Sequence, residues 1–253
     1  ITGGSRPGGG PNLFHSFGEF GVPSDNIANF LNETALPTNN ILSRVTGGNT
    51  SNIFGTIQTT GFGNANFFLM NPAGFLFGPT ATINVGGLVA FTSADYLKLT
   101  DDTRFNAILN TAADALLTAL PVASFGFLGS NPGAITVQGS HFSVTDGQSI
   151  SLVGGNITIQ SGVSDAGTAQ SAQLSAPNGN ILLASVASPG EFDAATLLPL
   201  PNVNGQSFNS LGSVTLTTGS HIAVSGTNNV SIRGGKFVLS VNDATLTTSQ
   251  PPS

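Results

Sequence analysis

Short apolar runs separated by turn residues follow one another along almost the whole chain. From Ala134 onward their centres recur at Val137, Val144, Ile150 to Leu152 and Ile157 to Ile159. Three segments at that spacing make a coil of roughly 20 to 24 residues, the range of β-solenoid repeats. One such coil cannot bury its own apolar face, so neighbouring coils must stack on it. The pattern is also duplicated. Gly139-Ser140-His141-Phe142-Ser143-Val144 returns as Gly219-Ser220-His221-Ile222-Ala223-Val224, and Ile150-Ser151-Leu152-Val153-Gly154-Gly155 returns as Val230-Ser231-Ile232-Arg233-Gly234-Gly235. The predicted fold is all-β, a right-handed parallel β-helix (β-solenoid). It takes residues 1–253 as one domain, with an N-terminal cap over 1–40 and coils over 41–253.

The stretch from Asn71 to Ser93 states this grammar most fully. Asn71-Pro72-Ala73-Gly74 fits a type I turn, in which Asn caps the first position, Pro presets φ at the second and Gly closes the fourth. Phe75 to Phe77 follows as a strand, and Gly78-Pro79 breaks it. Ala81, Ile83 and Val85 then alternate with Thr80, Thr82 and Asn84, the period of a half-buried strand. Gly86-Gly87 turns the chain into a further strand over Leu88 to Phe91. Upstream, Ile53, Gly55 and Ile57 alternate, and Gly61-Phe62-Gly63-Asn64 reads as a hairpin-like connection. In the cap, Gly3 to Pro11 predicts no regular element, and Phe14, Phe17 and Phe20 predict short strands that pack their rings on one end of the core. An uncovered end of stacked strands would offer unpaired backbone to other chains, so a cap is needed.

Two segments break the pattern. Phe105, Ile108, Leu109, Ala112, Ala113, Leu116, Leu117 and Leu120 recur at helical spacing after Asp101-Asp102, and Pro121 stops them. The spacing predicts a helix near 103 to 120, capped by an aspartate, with its Leu face against the β core. It lies within an excursion at about 101–125. Residues 187–210, with Pro189, Pro199 and Pro201, predict a second excursion as a long loop. Pro177-Asn178-Gly179-Asn180 predicts another tight turn. Thr247 to Ser253 contains nothing that caps a solenoid, which predicts that the chain continues as a longer β-helix.

Charged residues make up 7% of the chain, and six basic residues face twelve acidic ones. Polar Asn, Thr, Ser and Gln must therefore cover the outside. No basic patch is present for nucleic acid. Cysteine is absent, which excludes disulfides and Cys-based metal sites. It also suits a chain threaded unfolded through an oxidising compartment. No apolar run approaches the ~18 residues of a membrane-spanning helix. The Ile-Thr-Gly-Gly opening has no basic-then-apolar leader, which predicts that a signal peptide has been removed.

Candidate chemistry is sparse. Glycoside hydrolysis needs two facing carboxylates. The nearest pairs, Asp101-Asp102 and Glu191/Asp193, are expected in a helix cap and a loop, away from any strand. His141 and His221 occupy matched positions of the duplication, expected several coils apart, which points to repeat inheritance rather than a metal site. Gly234-Gly235-Lys236 lacks the remaining residues of a phosphate loop. No catalytic residue, metal or cofactor is assigned.

The residues from Asn71 to Ser93 resemble the hallmark segment of the secretion domain of two-partner-secretion exoproteins, the filamentous-haemagglutinin family. There an Asn-Pro-Asn-Gly turn precedes a strand and an Ile-Asn-Val-Gly-Gly-Leu-Val-Ala-like run. Here the turn is Asn71, Pro72, Ala73 and Gly74, and the run begins Ile83, Asn84, Val85, Gly86 and Gly87. Asn12, Leu13 and Phe14, within Asn12 to Phe20, resemble the family's N-terminal segment. Ile41 to Gly48 resembles the block ahead of the turn, and Asn131 to Gly139 the start of its later coils. An upstream Asn-Pro-Asn-Leu motif is absent, with Asn32-Glu33-Thr34 near its place, and we read the chain as a cyanobacterial-like variant. The resemblance implies a non-enzymatic secretion-recognition domain. Its partner would be an outer-membrane TpsB/Omp85-type transporter, which binds it through POTRA domains and exports it unfolded. It would then nucleate β-helix folding at the cell surface. The resemblance implies a monomer that does not itself span the membrane and is secreted by a Gram-negative-type bacterium through the periplasm. The alternative is an adhesin-type binding module on a β-helix scaffold.

Overall fold

The computed structural model describes residues 1–193, 207–240 and 245–249. Among them, three parallel sheets run side by side along the chain. The first contains Asn12–Phe17, Asn40–Val45, Asn66–Met70, Val89–Thr92, Ile150–Gly154, Ile181–Ser185 and Val230–Arg233. The second contains Ser51–Ile53, Phe75–Phe77, Ile135–Gln138, Ile157–Gln160, Ser213–Leu216 and Lys236–Leu239. The third contains Ile27–Leu31, Thr56–Thr60, Thr82–Asn84, His141–Ser143, Ala172–Ala176, Ser220–Ser225 and Thr245–Ser249. Each coil visits the sheets in turn. This is a parallel β-helix.

Register decides which side chains meet. Leu13, Ile41, Phe67, Val89, Ile150 and Ile181 align on the first sheet and point inward. Inside, Phe77 lies edge-on to Phe91 at 4.7 Å and to Phe142 at 4.8 Å. The outward positions of the third sheet align as Thr56, Thr82, His141, Gln173 and His221, and those of the second as Thr136, Thr158 and Thr215. Hydroxyls and amides therefore solvate these faces, which is how so few charges suffice.

The N-terminal segment covers the first coil. Ser5 bridges Phe14, Val22 bridges Ile53, and the Ile1 amino group and carbonyl bond Asn29 and Leu31. Each of the three sheets has its N-terminal edge met in this way, which satisfies backbone that would otherwise template another chain. Within the Gly- and Pro-rich opening, Pro7–Gly9 forms a short 3-10 turn where no regular element was expected. Phe17 and Phe20 pack on Phe30 inside, whereas Phe14 faces outward.

The first excursion departs from its predicted helix. Only Thr111–Asp114 is helical, and its cap is Asn110, whose side chain accepts from the Ala113 amide at 3.1 Å. Phe105 lies on a strand, Arg104–Asn106, paired antiparallel with Tyr96–Leu99. Asp101 caps the hairpin turn instead, accepting from the Thr103 amide and hydroxyl, and Asp102 takes φ 66°. Leu117 is buried, but Ile108, Leu109, Leu116 and Leu120 are exposed rather than packed on the core. A neighbouring strand edge satisfied the backbone, so pairing overrode the helical periodicity.

Val122–Phe127 and Gly190–Asp193 extend that hairpin to a four-stranded antiparallel outer sheet. It covers the first sheet, burying Phe14, Leu42, Phe68 and Leu182 against Leu97, Phe105, Phe125 and Phe192. The inner strands of the first sheet, from Asn40–Val45 to Ile181–Ser185, are thus buried on both faces. Part of the expected 187–210 loop is therefore strand, while Pro199 and Pro201 lie outside the described residues, as do Pro251 and Pro252. The Gly61-Phe62-Gly63-Asn64 segment is a corner between the parallel third and first sheets rather than a hairpin. Gly55 also sits at a corner, where a Cβ would lie 2.2 Å from the Asn26 carbonyl.

Candidate recognition site

The Asn71–Gly74 turn closes with the Gly74 amide donating to the Asn71 carbonyl at 2.8 Å. The Asn71 side-chain oxygen accepts from the Ala73 amide at 3.0 Å, the local capping expected of Asn at a turn. Its amide reaches further, donating to the Asn49 carbonyl and the Ser51 hydroxyl, each at 2.9 Å. Asn71 is 0% exposed. The turn is also held from above. Pro72 accepts from the Gly133 amide at 3.0 Å, and Ala134 accepts from the Phe75 amide at 2.9 Å. Gly74 has φ 89°, and a Cβ there would lie 2.2 Å from the Ala134 carbonyl. A Cβ on Gly133 would lie 2.3 Å from the Gly74 nitrogen. Successive coils meet here backbone to backbone.

The other quoted segments lie at neighbouring corners. Ile83 and Val85 are buried inward, and Asn84 donates across the outer face to Gln58 at 3.2 Å. Gly86 and Gly87 press on the preceding corner: a Cβ would meet the Gly63 carbonyl at 2.1 Å or the Ala65 carbonyl at 2.4 Å. Leu13 points into the helix and Phe14 into the outer layer. Asn12 begins a ladder. Asn40 donates to Asn12 at 2.9 Å, Asn66 to Asn40 at 3.0 Å, and Asn66 accepts from the Leu88 amide at 3.2 Å. Asn12 itself donates to the Thr118 and Leu120 carbonyls, tying the first excursion to the ladder's end. Sequence reasoning missed Asn40, Asn66, Ser51 and Gly133. A signal existed, since Asn directly precedes the first inward apolar residue at Asn12-Leu13, Asn40-Ile41, Asn66-Phe67, Asn180-Ile181 and Asn229-Val230. Asn32 stands apart from the turn, donating to Gly61 and Leu36.

Two groups of charged side chains are bound up in structure. Arg44, 3% exposed on the outer face of the first sheet, makes a two-pronged contact with Asp114 at 2.9 and 2.6 Å. It also donates to Ser16 and to the Asn106 carbonyl, and lies 4.5 Å over the Phe105 ring. Glu191 lies on a strand, contrary to expectation, and meets Tyr96, Lys98, Arg104 and Ser124. Burial acts to raise its pKa, but the Lys98 and Tyr96 hydrogen bonds hold it below the usual carboxylate range. Burial and the Glu191 bond push Tyr96 up to about 12. A carboxylate ion-paired in this way is a poor general acid. His141 and His221 flank Gln173 on the third sheet, two strands apart rather than several coils. No group of three metal-ligating side chains converges among the described residues. His15 is buried between Phe17 and Phe30.

Set against known families, the profile of the TPS secretion domain matches residues 1–239. The chain belongs to the TPS secretion domain family. It is thus a non-enzymatic secretion-recognition domain of TpsA exoproteins, and a TpsB transporter is its implied partner. Membership makes the chain part of a secreted exoprotein, and no helix among the described residues is long and apolar enough to cross a membrane. The match is to the family as a whole and does not single out a cyanobacterial-type branch. A search of curated proteins returned no match. In this TPS domain Asn71 and Gly74 are buried at a corner of the helix, with Pro72 and Ala73 half-buried beside them.

Proposed function

We propose that POTRA domains of the TpsB-type transporter read this TPS domain as an unfolded chain, with Asn71, Pro72, Ala73 and Gly74 in the recognised segment. The chain then passes the outer membrane and folds as a monomer at the cell surface, where its coils nucleate further β-helix. The observation that carries this reading is the burial of Asn71. Every polar atom of its side chain is bonded within the fold, so a partner gains access to it only before the coils stack. Unfolded β-prone segments suit strand addition, because an open sheet edge reads them through backbone bonds. Nucleation finds support at one edge of the second sheet. Phe237 and Leu239 stand in register with buried Val214 and Leu216, yet are 48% and 45% exposed. A strand added to that edge would cover them.

The test is binding of isolated POTRA domains to the chain. Ile157, fully buried, is replaced by Asp to unfold the coils without touching the turn. The expected result is tight binding to Ile157→Asp and weak binding to the folded wild type. Asn71→Ala added to Ile157→Asp should weaken it again. Equal binding to the folded wild type would overturn the reading, and an unchanged double variant would remove Asn71 from the signal.

A further inference from the structure

The outer sheet holds an arrangement that its own hairpin does not favour. Lys98 and Arg104 are directly opposed partners on the antiparallel strands Tyr96–Leu99 and Arg104–Asn106. Like charges placed directly opposite destabilise a strand pair. Nothing on the hairpin resolves them well: among the described residues the hairpin carboxylate within ion-pair distance is Asp102, 3.6 Å from Lys98 with its side chain 89% exposed. Exposed pairs of that kind contribute little. The resolving group comes from far along the chain. Glu191, on the fourth strand, accepts from Tyr96 at 2.7 Å and Arg104 at 3.4 Å through one oxygen, and from Lys98 and Ser124 through the other. The Arg104 guanidinium stacks on Tyr96 at 4.1 Å, and Gly126 leaves room for that ring, since a Cβ there would lie 1.9 Å from it.

We infer that the outer sheet is a strap which closes late over the first sheet, and that Glu191 is its latch. The strands Ile150–Gly154 and Ile181–Ser185, on which part of the strap rests, precede Glu191 in the chain. Until Gly190–Asp193 arrives, the hairpin carries two opposed cations, and the Val122–Phe127 edge lacks its partner. Arrival of Glu191 cancels the repulsion and completes the sheet in one step. The coils can therefore stack while the strap is still open, with the outer apolar face of the first sheet covered only afterwards. Glu191 acts here as a positioning residue.

Hydrogen exchange of the full chain tests this, on wild type, Glu191→Gln, Arg104→Gln and the double variant. In Glu191→Gln, amides of 96–106 and 122–127 should exchange on the order of tenfold faster or more, while those of 67–70 and 150–154 stay within about twofold. Arg104→Gln alone should leave the strap protected. In the double variant Lys98 no longer faces a second cation, and outer-sheet exchange should return to within about threefold of wild type. High salt should shrink the single-variant effect. Pulse-labelled refolding of wild type should protect the coils before the outer sheet. Unchanged exchange in Glu191→Gln, equal acceleration of coils and outer sheet, absence of rescue, or outer-sheet protection appearing with or before the coils would each overturn the latch.

Discussion

Asn71 donates its side-chain amide to the Ser51 hydroxyl at 2.9 Å, joining the hallmark turn to the coil before it. A residue that fits an ordinary turn cap thus bonds within its own turn and across to a neighbouring coil. Local capping uses its oxygen, and the bond between coils uses its nitrogen.

That double use sets the cost of replacing it. Asn71→Ala leaves the Asn49 carbonyl, the Ser51 hydroxyl and the Ala73 amide without this partner, at a corner where Asn71 and Ser51 are themselves buried. The expected loss is about 2–4 kcal/mol, above the ~1 kcal/mol of an exposed cap. Urea unfolding with an unchanged m-value checks it. A loss under about 1 kcal/mol would mean that water replaces the amide.

Gly133 and Gly74 meet backbone to backbone at the same corner. Gly133→Ala places a Cβ 2.3 Å from the Gly74 nitrogen, so the coils must separate locally. The expected destabilisation is about 2–4 kcal/mol. A thermal midpoint equal to wild type would show that the corner yields without cost.

Arg44 and Asp114 link the first sheet to the excursion. Asp114→Asn removes the charge that faces a buried guanidinium, though Ser16, the Asn106 carbonyl and the Phe105 ring remain. Breaking a buried pair costs about 3–5 kcal/mol. The Asp114 side chain is 24% exposed, so screening lowers the expectation to about 2 kcal/mol. Combining it with Arg44→Met should cost less than the sum of the two single changes. Strict additivity in that double-mutant cycle would mean the pair is not coupled.

His15 makes the cap sensitive to acid. Burial, helped by the positive charges of the Ile1 amino group and Arg6, lowers its pKa from the ordinary 6.5 to about 4. The unfolded chain then binds this proton at a higher pH than the folded one does. Its contribution to stability is complete above pH 6.5 and is lost as pH falls through the window down to about 4. His15→Leu should flatten the unfolding free energy across that window relative to wild type. Parallel pH profiles for the two chains would show that His15 titrates normally.

The places where sequence reading failed share a cause. Phe105, Leu109 and Leu116 have helical spacing, but spacing alone cannot tell that the edge of Tyr96–Leu99 is open to pair with Arg104–Asn106. Glu191 reads as a loop residue because its partners, Tyr96 and Lys98, come from the other excursion. The ladder of Asn12, Asn40 and Asn66 was legible in principle, as one residue type repeated before the first inward position of five of the seven strands of the first sheet.

By itself the sequence determined the coil. Alternating apolar positions, turn residues between them and the duplication at Gly139 and Gly219 required stacked short strands, because each coil buries its inward face only against its neighbours. It also determined the local form of Asn71-Pro72-Ala73-Gly74, since turn chemistry acts over four residues. Tertiary structure alone decided what those residues touch. Burial of Asn71 on Ser51, closure of Gly133 on Gly74 and the meeting of Glu191 with Lys98 and Arg104 depend on coil register and on two excursions joining one sheet. Insertions of varied length separate those partners along the chain, so no local pattern encodes their contact.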